Sequence, residues 1–285
     1  MDHSSIQPLS RVFLQLGPIT IYWYAVFILS GVIIGLQLAI REGKKMNIDP
    51  EFFYDLVLYG FPIGIIGARL YYVIFNWGMF AQHPERIIRI WEGGLAIHGS
   101  LIAVFIFGWF FSKRHGITPW LIADLAGTSY LIAQAIGRWG NFMNQEAHGG
   151  VVPGVTLDAQ REFLQSLFIP NFVINNMFIG GAYLHPTFLY ESIWNIIGFL
   201  IVVLILRKMR KLLVGEIGAF YAVWYSIGRY FIEGMRTDSL MLTETIRVAQ
   251  FISIITIIGV LILVIGRRLM KKNLKTYQSF YTHKV

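Results

Sequence analysis

The 285-residue chain contains no cysteine, and only 14% of its residues are charged. The first absence excludes disulfides, thiolate metal sites and a cysteine nucleophile supplied by the protein itself. The second, beside 55% hydrophobic residues, lies outside the range of soluble globular domains and predicts a multi-spanning membrane protein. Charge is also lopsided, with a formal net charge of +8. The cations nevertheless fall in short clusters between apolar runs rather than on one soluble face, so nucleic acid is not expected as a partner. Residues 1–16 lack a basic stretch followed by an apolar core, so the first span is expected to be retained rather than cleaved as a signal peptide. Also missing is any internal repeat, inverted or parallel, of the kind that builds two-halved transporters.

What the chain does have is seven apolar segments near the length of about 20 residues that crosses a hydrocarbon core. They cover residues 19–40, 53–75, 93–112, 117–137, 187–206, 217–232 and 248–266, and four of them carry charge: Asp55 and Arg69, Asp124, Glu191, and Arg229. Fifteen of the 24 cations, including every lysine, follow the first, third, fifth and seventh segments. That bias predicts cytoplasmic loops there, with the N-terminus outside and the C-terminus in the cytoplasm. The other nine cations are all arginines: Arg11, Arg69, Arg86, Arg89, Arg138, Arg161, Arg229, Arg236 and Arg247. A guanidinium presents a rigid fork that grips phosphate or carboxylate, so the outer side is expected to hold an anion. The expectation is an all-α integral membrane protein of about seven transmembrane helices, one polytopic domain over residues 1–285. Residues 138–186, punctuated by Pro153, Pro170, Asn171, Asn175, Asn176 and Gly180-Gly181, read as a small extracytoplasmic cap of irregular structure. The polar, basic tail 271–285 reads as solvated against the lipid surface.

The polar residues inside the segments converge on the outer half. Tyr22 and Tyr24 come early in the first segment, Arg69 late in the second and His98 early in the third; His185, Tyr190 and Glu191 open the fifth, and Tyr225, Arg229 and Glu233 close the sixth. Ionisable groups within spans cost about 2.5–3.5 kcal/mol each on insertion and mark functional interiors. Asp55 and Asp124 fall near inner ends and read as structural. Tyr225, Arg229, Glu233 and Arg236 follow one another at helical spacing and share one face. Arg229 alone could be half of an internal ion pair with Glu233. An interior Arg138 at the same depth argues for an anion between two cations, and a phosphate would suit the gap. His98, set among Gly93, Gly94, Gly99 and Ser100, is the candidate general base. The spacing of His148 and His185 matches no strong metal motif, and neither a metal nor another cofactor is expected.

The stretch Gly137-Arg-Trp-Gly-Asn-Phe-Met-Asn-Gln-Glu146, completed by Gly149, resembles the signature of the phosphatidylglycerol:prolipoprotein diacylglyceryl transferases, a family of bacterial lipoprotein maturation. The resemblance extends to Trp23-Tyr24, Gly67-Ala-Arg69, Ile97-His98-Gly99, His185-Pro186 through Glu191, and Tyr225 through Glu233 and Arg236. One departure is Ser100, where the family usually has a second glycine after the histidine. The resemblance implies transfer of the diacylglyceryl group of phosphatidylglycerol to the lipobox cysteine of a prolipoprotein, releasing glycerol phosphate. It implies a multi-pass protein of the bacterial plasma membrane whose site faces the outer leaflet. It also implies importance for Tyr24, His98, Arg138, Asn141, Gly149 and Arg229, with Glu146, Tyr225 and Glu233 in support. The catalytic set expected is His98, Arg138, Arg229 and Tyr24; the substrate-binding set is Arg138, Asn141, Glu146, Gly149, Tyr225, Glu233, Arg236 and Arg69. The competing readings are a transporter or channel for an anionic solute and an intramembrane hydrolase using Ser100; no G-x-S-x-G elbow supports the latter.

Overall fold

The first apolar segment does not begin as a helix. Strands β1 (Val12–Leu16) and β2 (Ile19–Tyr22) form an antiparallel hairpin that turns at Gly17, and the helix α1 (Trp23–Lys44) starts only after it. The computed structural model describes residues 9–237, 240–241, 243, 246–270 and 274–282; Lys271, Lys272 and Lys284, counted among the cytoplasmic cations, lie outside the described residues. After α1 come α2 (Pro50–Phe75), the short α3 (Trp77–Gln82), α4 (Ile97–Arg114) and α5 (Pro119–Asn144). Next are α6 (Leu157–Ser166), α7 (Asn171–Asn176), a second small hairpin of β3 (Phe178–Ile179) and β4 (Ala182–Tyr183), then α8 (Thr187–Leu204), α9 (Glu216–Met235) and α10 (Val248–Met270). Each of the seven expected segments thus holds a long helix. Four of these helical stretches, Trp23–Lys44, Pro50–Phe75, Thr187–Lys208 and Val248–Met270, are by themselves long and apolar enough to cross a membrane. The chain is a mostly helical, membrane-embedded protein. Its contacts group into two compact units, one of residues 1–38 and 126–279, the other of residues 39–125 and 280–285.

In the second unit α2 and α4 run antiparallel. Asp49 caps α2 by accepting from the Glu51 amide at 2.9 Å, and Pro50 occupies the first helical position, where its missing N–H costs nothing. The two helices cross where Gly67 meets Gly99: a Cβ on Gly67 would lie 2.7 Å from the Gly99 carbonyl oxygen. Small residues permit this close approach of backbones, as in membrane helix pairs generally. Ser100, one residue on, puts its hydroxyl 2.9 Å from where a Gly64 side chain would begin, so it fills the groove beside Gly64. Residues 76–92 outside the pair form α3 and two turns of 3-10 helix. There Glu92 accepts from Arg89 at 3.2 Å and Arg86 at 3.1 Å, and these bonds hold its carboxyl below the usual range.

In the first unit glycines again set the crossings. A Cβ on Gly31 of α1 would lie 2.9 Å from the Ala133 carbonyl oxygen of α5. Between the antiparallel α8 and α9, Trp194 and Trp224 stack with ring centroids 4.2 Å apart and planes 14° apart. Each indole N–H donates to the other residue's main-chain carbonyl at 2.9 Å, and Gly198 and Gly228 leave the space the rings occupy. Helix α10 lies along α9, where Arg268 grips Glu216 through two bonds of 2.6 and 2.7 Å.

Two expectations are corrected. The segment 138–186 is not irregular: its first seven residues complete α5, and the remainder folds around its own core of Val152, Leu164, Val173, Ile174 and Tyr183. Within it the buried Arg161 donates to Asn175 at 2.7 Å and to the Tyr183 hydroxyl at 3.1 Å. The basic tail is not simply solvated either. In the first unit Tyr277 is buried and its amide donates to the Leu212 carbonyl at 2.8 Å. In the second unit the Tyr281 hydroxyl donates to Glu42, and Thr282 donates twice to the Lys45 carbonyl, at 3.0 and 2.9 Å. Aromatic rings between the tail's cations supply the apolar area that holds it down.

Candidate active site

The signature stretch is helical because its glycines face a neighbour rather than a turn. At Gly140 a Cβ would come within 2.8 Å of the Tyr24 ring, and at Gly137 within 3.3 Å of Ile28, so both let α1 approach α5. Arg138 and Asn141 therefore sit one turn apart on the last part of α5, not in a loop. The helix ends at Asn144, and the next three residues reverse the chain. Gln145 and Ala147 adopt left-handed backbone with φ of 53° and 55°, which costs on the order of 1–3 kcal/mol each for residues of these types. Between them Glu146 is tied back: its amide donates to the Asn141 carbonyl at 3.1 Å, and its carboxylate accepts from the Asn141 and Asn144 side chains at 2.9 and 3.3 Å. Strain held in place by such bonds, beside Asn141, fixes one geometry.

The two interior arginines do meet an anion, but it is a side chain of the protein. Glu191, buried on α8, bridges them: one carboxylate oxygen pairs with Arg138 Nε, and the other with Arg229 Nη1 at 3.3 Å. Arg229 Nη2 also pairs with Glu233 at 2.6 Å, so the internal pair suggested by the four-residue spacing forms as well. The expectation of two cations awaiting a phosphate is therefore corrected. Two guanidiniums face two carboxylates, and the cluster is charge-balanced as it stands. Like charges that cannot be separated need such a counterion. Arg138 Nη1 further donates to the side-chain Oδ1 of Asn141 at 3.5 Å. Glu191 was legible as a charge early in a span, yet its place between two arginines 53 and 38 residues away in sequence carries no local signal.

Of the remaining first-unit residues, Tyr225 lies beside this cluster. Tyr225, Arg229 and Glu191 line one small crevice between α8 and α9. Gly149 works through its backbone: its amide donates to the His185 carbonyl at 2.9 Å, it bridges to Arg236, and a Cβ there would lie 2.7 Å from that of His185. His185, half-buried in the same strand-like crossing, has its imidazole pKa pushed below the ordinary value by burial.

In the second unit Arg69, expected to bind substrate, has its fork taken up by main-chain carbonyls. Nε donates to the Ile87 carbonyl at 2.8 Å, Nη1 to Gly93 and Gly94 at 2.7 and 2.9 Å, and Nη2 to Arg86 and Arg89 at 2.5 and 3.3 Å. A guanidinium has five N–H groups, and all five are spent on main-chain carbonyls. Arg69 thus anchors the loop that leads into α4. His98, the second residue of that helix, is exposed, with its ring 6.1 Å from that of Tyr71.

Comparison with known proteins bears on what these residues serve. Residues 11–266 match the model of the prolipoprotein diacylglyceryl transferase family. A phosphatidylglycerol--prolipoprotein diacylglyceryl transferase of Bacillus licheniformis is 50% identical over 277 residues, covering 97% of this chain and 99% of the relative. Relatives of the same name from Geobacillus kaustophilus and Halalkalibacterium halodurans are 52% and 54% identical, covering 93% and 90% of this chain and 95% and 86% of theirs. The alignment runs through both compact units and every residue of the candidate site, and the chain belongs to the prolipoprotein diacylglyceryl transferase family.

Proposed function

We propose that the protein transfers the diacylglyceryl group of phosphatidylglycerol to the thiol of a lipobox cysteine in a prolipoprotein. Family membership over nearly the whole chain carries this reading, and it disfavours both an anion transporter and an intramembrane hydrolase. In the reaction a sulfur–carbon bond forms at the glyceryl carbon that bore the phosphate, and the carbon–oxygen bond to that phosphate breaks. The electron pair leaves with glycerol phosphate, whose phosphate gains a second negative charge, and the thiol proton passes to a base. A thiol of pKa near 8.5 benefits from such a base at neutral pH. His98 is assigned that role.

Arg138 and Arg229 are assigned to the developing charge. Glu191 and Glu233 each hold one edge of a guanidinium, so the forks are oriented in advance and offer their remaining N–H groups to a phosphate oxygen. Tyr24, Asn141, Glu146, Tyr225, Glu233 and Arg236 complete the headgroup site, with Gly149 shaping its backbone. The arrangement we infer is a single polytopic domain of seven spans in the bacterial plasma membrane, N-terminus outside and C-terminus in the cytoplasm. Its site then opens toward the outer leaflet, where a translocated precursor arrives. The lysine bias of alternate loops supports that orientation.

The test is purified protein in detergent containing phosphatidylglycerol, with a lipobox peptide. Glycerol phosphate should appear together with a lipid-shifted peptide, and only when the peptide thiol is present. Release without the thiol would make the protein a hydrolase; no release from folded protein would overturn the reading. His98→Ala should be strongly impaired and recover in part as pH rises through the thiol pKa, whereas a pH-independent loss would remove the base assignment.

A further inference from the structure

One polar group beside the cluster has no partner of its own. Asn195 lies one helical turn beyond Glu191 on α8 and is only 2% exposed. Its side-chain oxygen is buried and accepts no hydrogen bond. A buried amide left in that state costs about 1–3 kcal/mol, so a donor brought to it there would be stabilising. The group lines the crevice shared with Glu191, Tyr225 and Arg229, whose room of about 10 Å³ suits one hydroxyl-sized group. The reciprocal Trp194–Trp224 clasp ties α8 to α9 at this level.

Chemistry narrows the occupant. Arg229 and Glu191 line the crevice with opposite charges, so a neutral group can sit beside Asn195 while a phosphate takes the remaining N–H groups of the forks. A phosphate oxygen only accepts and cannot satisfy the amide oxygen. A hydroxyl both donates and accepts, so it meets either end of the amide, whichever way the side chain is turned. We propose that Asn195 is a specificity-determining residue that binds a hydroxyl of the donor lipid's glycerol headgroup beside Arg229. The assignment rests on the transferase reading above, since only that reading brings a glycerol headgroup to the cluster. Its consequence is discrimination: a site built to hydrogen-bond a substrate hydroxyl rejects the analogue lacking it, because the buried amide is then left unpaired.

The experiment compares phosphatidylglycerol with a phosphatidyl-propanediol that lacks one headgroup hydroxyl, using the full chain in detergent and a lipobox peptide. Wild-type protein should prefer phosphatidylglycerol by about tenfold or more in kcat/KM. Asn195→Leu should lower kcat/KM for phosphatidylglycerol by about tenfold while leaving the deoxy lipid within twofold, so that the preference collapses. An equal fall with both lipids would show that the amide holds a structural water and would overturn the proposal, as would an unchanged preference. Should Asn195→Leu fail to fold, as judged by melting in detergent, Asn195→Ala gives the same comparison and the same two overturning results. Wild-type protein that transfers from neither lipid would sink the transferase reading itself, whereas wild-type transfer with preference unaffected by substitution sinks only the role of Asn195.

Discussion

Arg69 and the pair Arg138–Arg229 are all interior arginines, yet they are neutralised in opposite ways. Arg69 meets five main-chain carbonyls, which use every N–H but leave its charge formally uncompensated. Arg138 and Arg229 meet Glu191 and Glu233, which cancel the charge but engage only part of each fork. A guanidinium with no donor left can only shape what surrounds it. One that is held by an edge, with its charge balanced at rest, can take on a new anion by small shifts among partners already present. The same residue type thus gives an anchor in one place and a charge-paired cluster with donors to spare in the other.

That contrast can be broken most decisively at Arg229. Arg229→Lys should reduce kcat/KM for peptide lipidation by about 100-fold or more, since a point charge cannot span Glu191 and Glu233 while still reaching a phosphate; near-normal turnover would refute the forked geometry. Arg69→Lys should behave differently, losing about 2–4 kcal/mol of stability as three N–H groups replace five, and leaving carbonyls of residues 86–94 unpaired. Its melting temperature in detergent should fall while the KM for phosphatidylglycerol of the folded fraction stays constant. A raised KM at unchanged stability would return Arg69 to the substrate. Gly67→Ala probes the helix pair that carries Arg69 and should cost about 1–3 kcal/mol, because its methyl would meet the Gly99 carbonyl; unfolding midpoints would show it. The smallest effect belongs to His185, in the first unit with the arginine pair. Burial lowers its pKa, so the unfolded chain takes up a proton before the folded one does. Stability should be complete above about pH 6.5 and decline as pH falls from there toward the lowered folded value. His185→Gln should flatten that part of the profile, and an unchanged slope would assign it to another group.

Much of this was readable in the residues. A run of about 20 apolar residues has few alternatives to a helix in lipid, and all seven runs contain one. The spacing of Arg229 and Glu233 gave their pairing. Where the reading failed, the reason was distance or ambiguity. Gly140 fell in the segment read as irregular, although inside a helix it and Gly137 serve the approach of α1, and nothing local marks that use. The core within residues 145–186 joins residues as far apart as Val152 and Tyr183 across prolines and asparagines that read as irregular chain. Five carbonyl partners of Arg69 belong to residues 17 to 25 positions away, and main-chain acceptors leave no trace in side-chain pattern.

The tryptophan clasp has one consequence of a different kind. Two indoles stacked at 4.2 Å and nearly parallel are electronically coupled, so their absorption and emission belong to the pair rather than to either ring. Any event that slides α8 along α9, lipid entry or product departure included, would uncouple them and alter the near-ultraviolet circular dichroism. The protein therefore carries, one turn from its arginine cluster, an optical gauge of its own working parts that needs no added label.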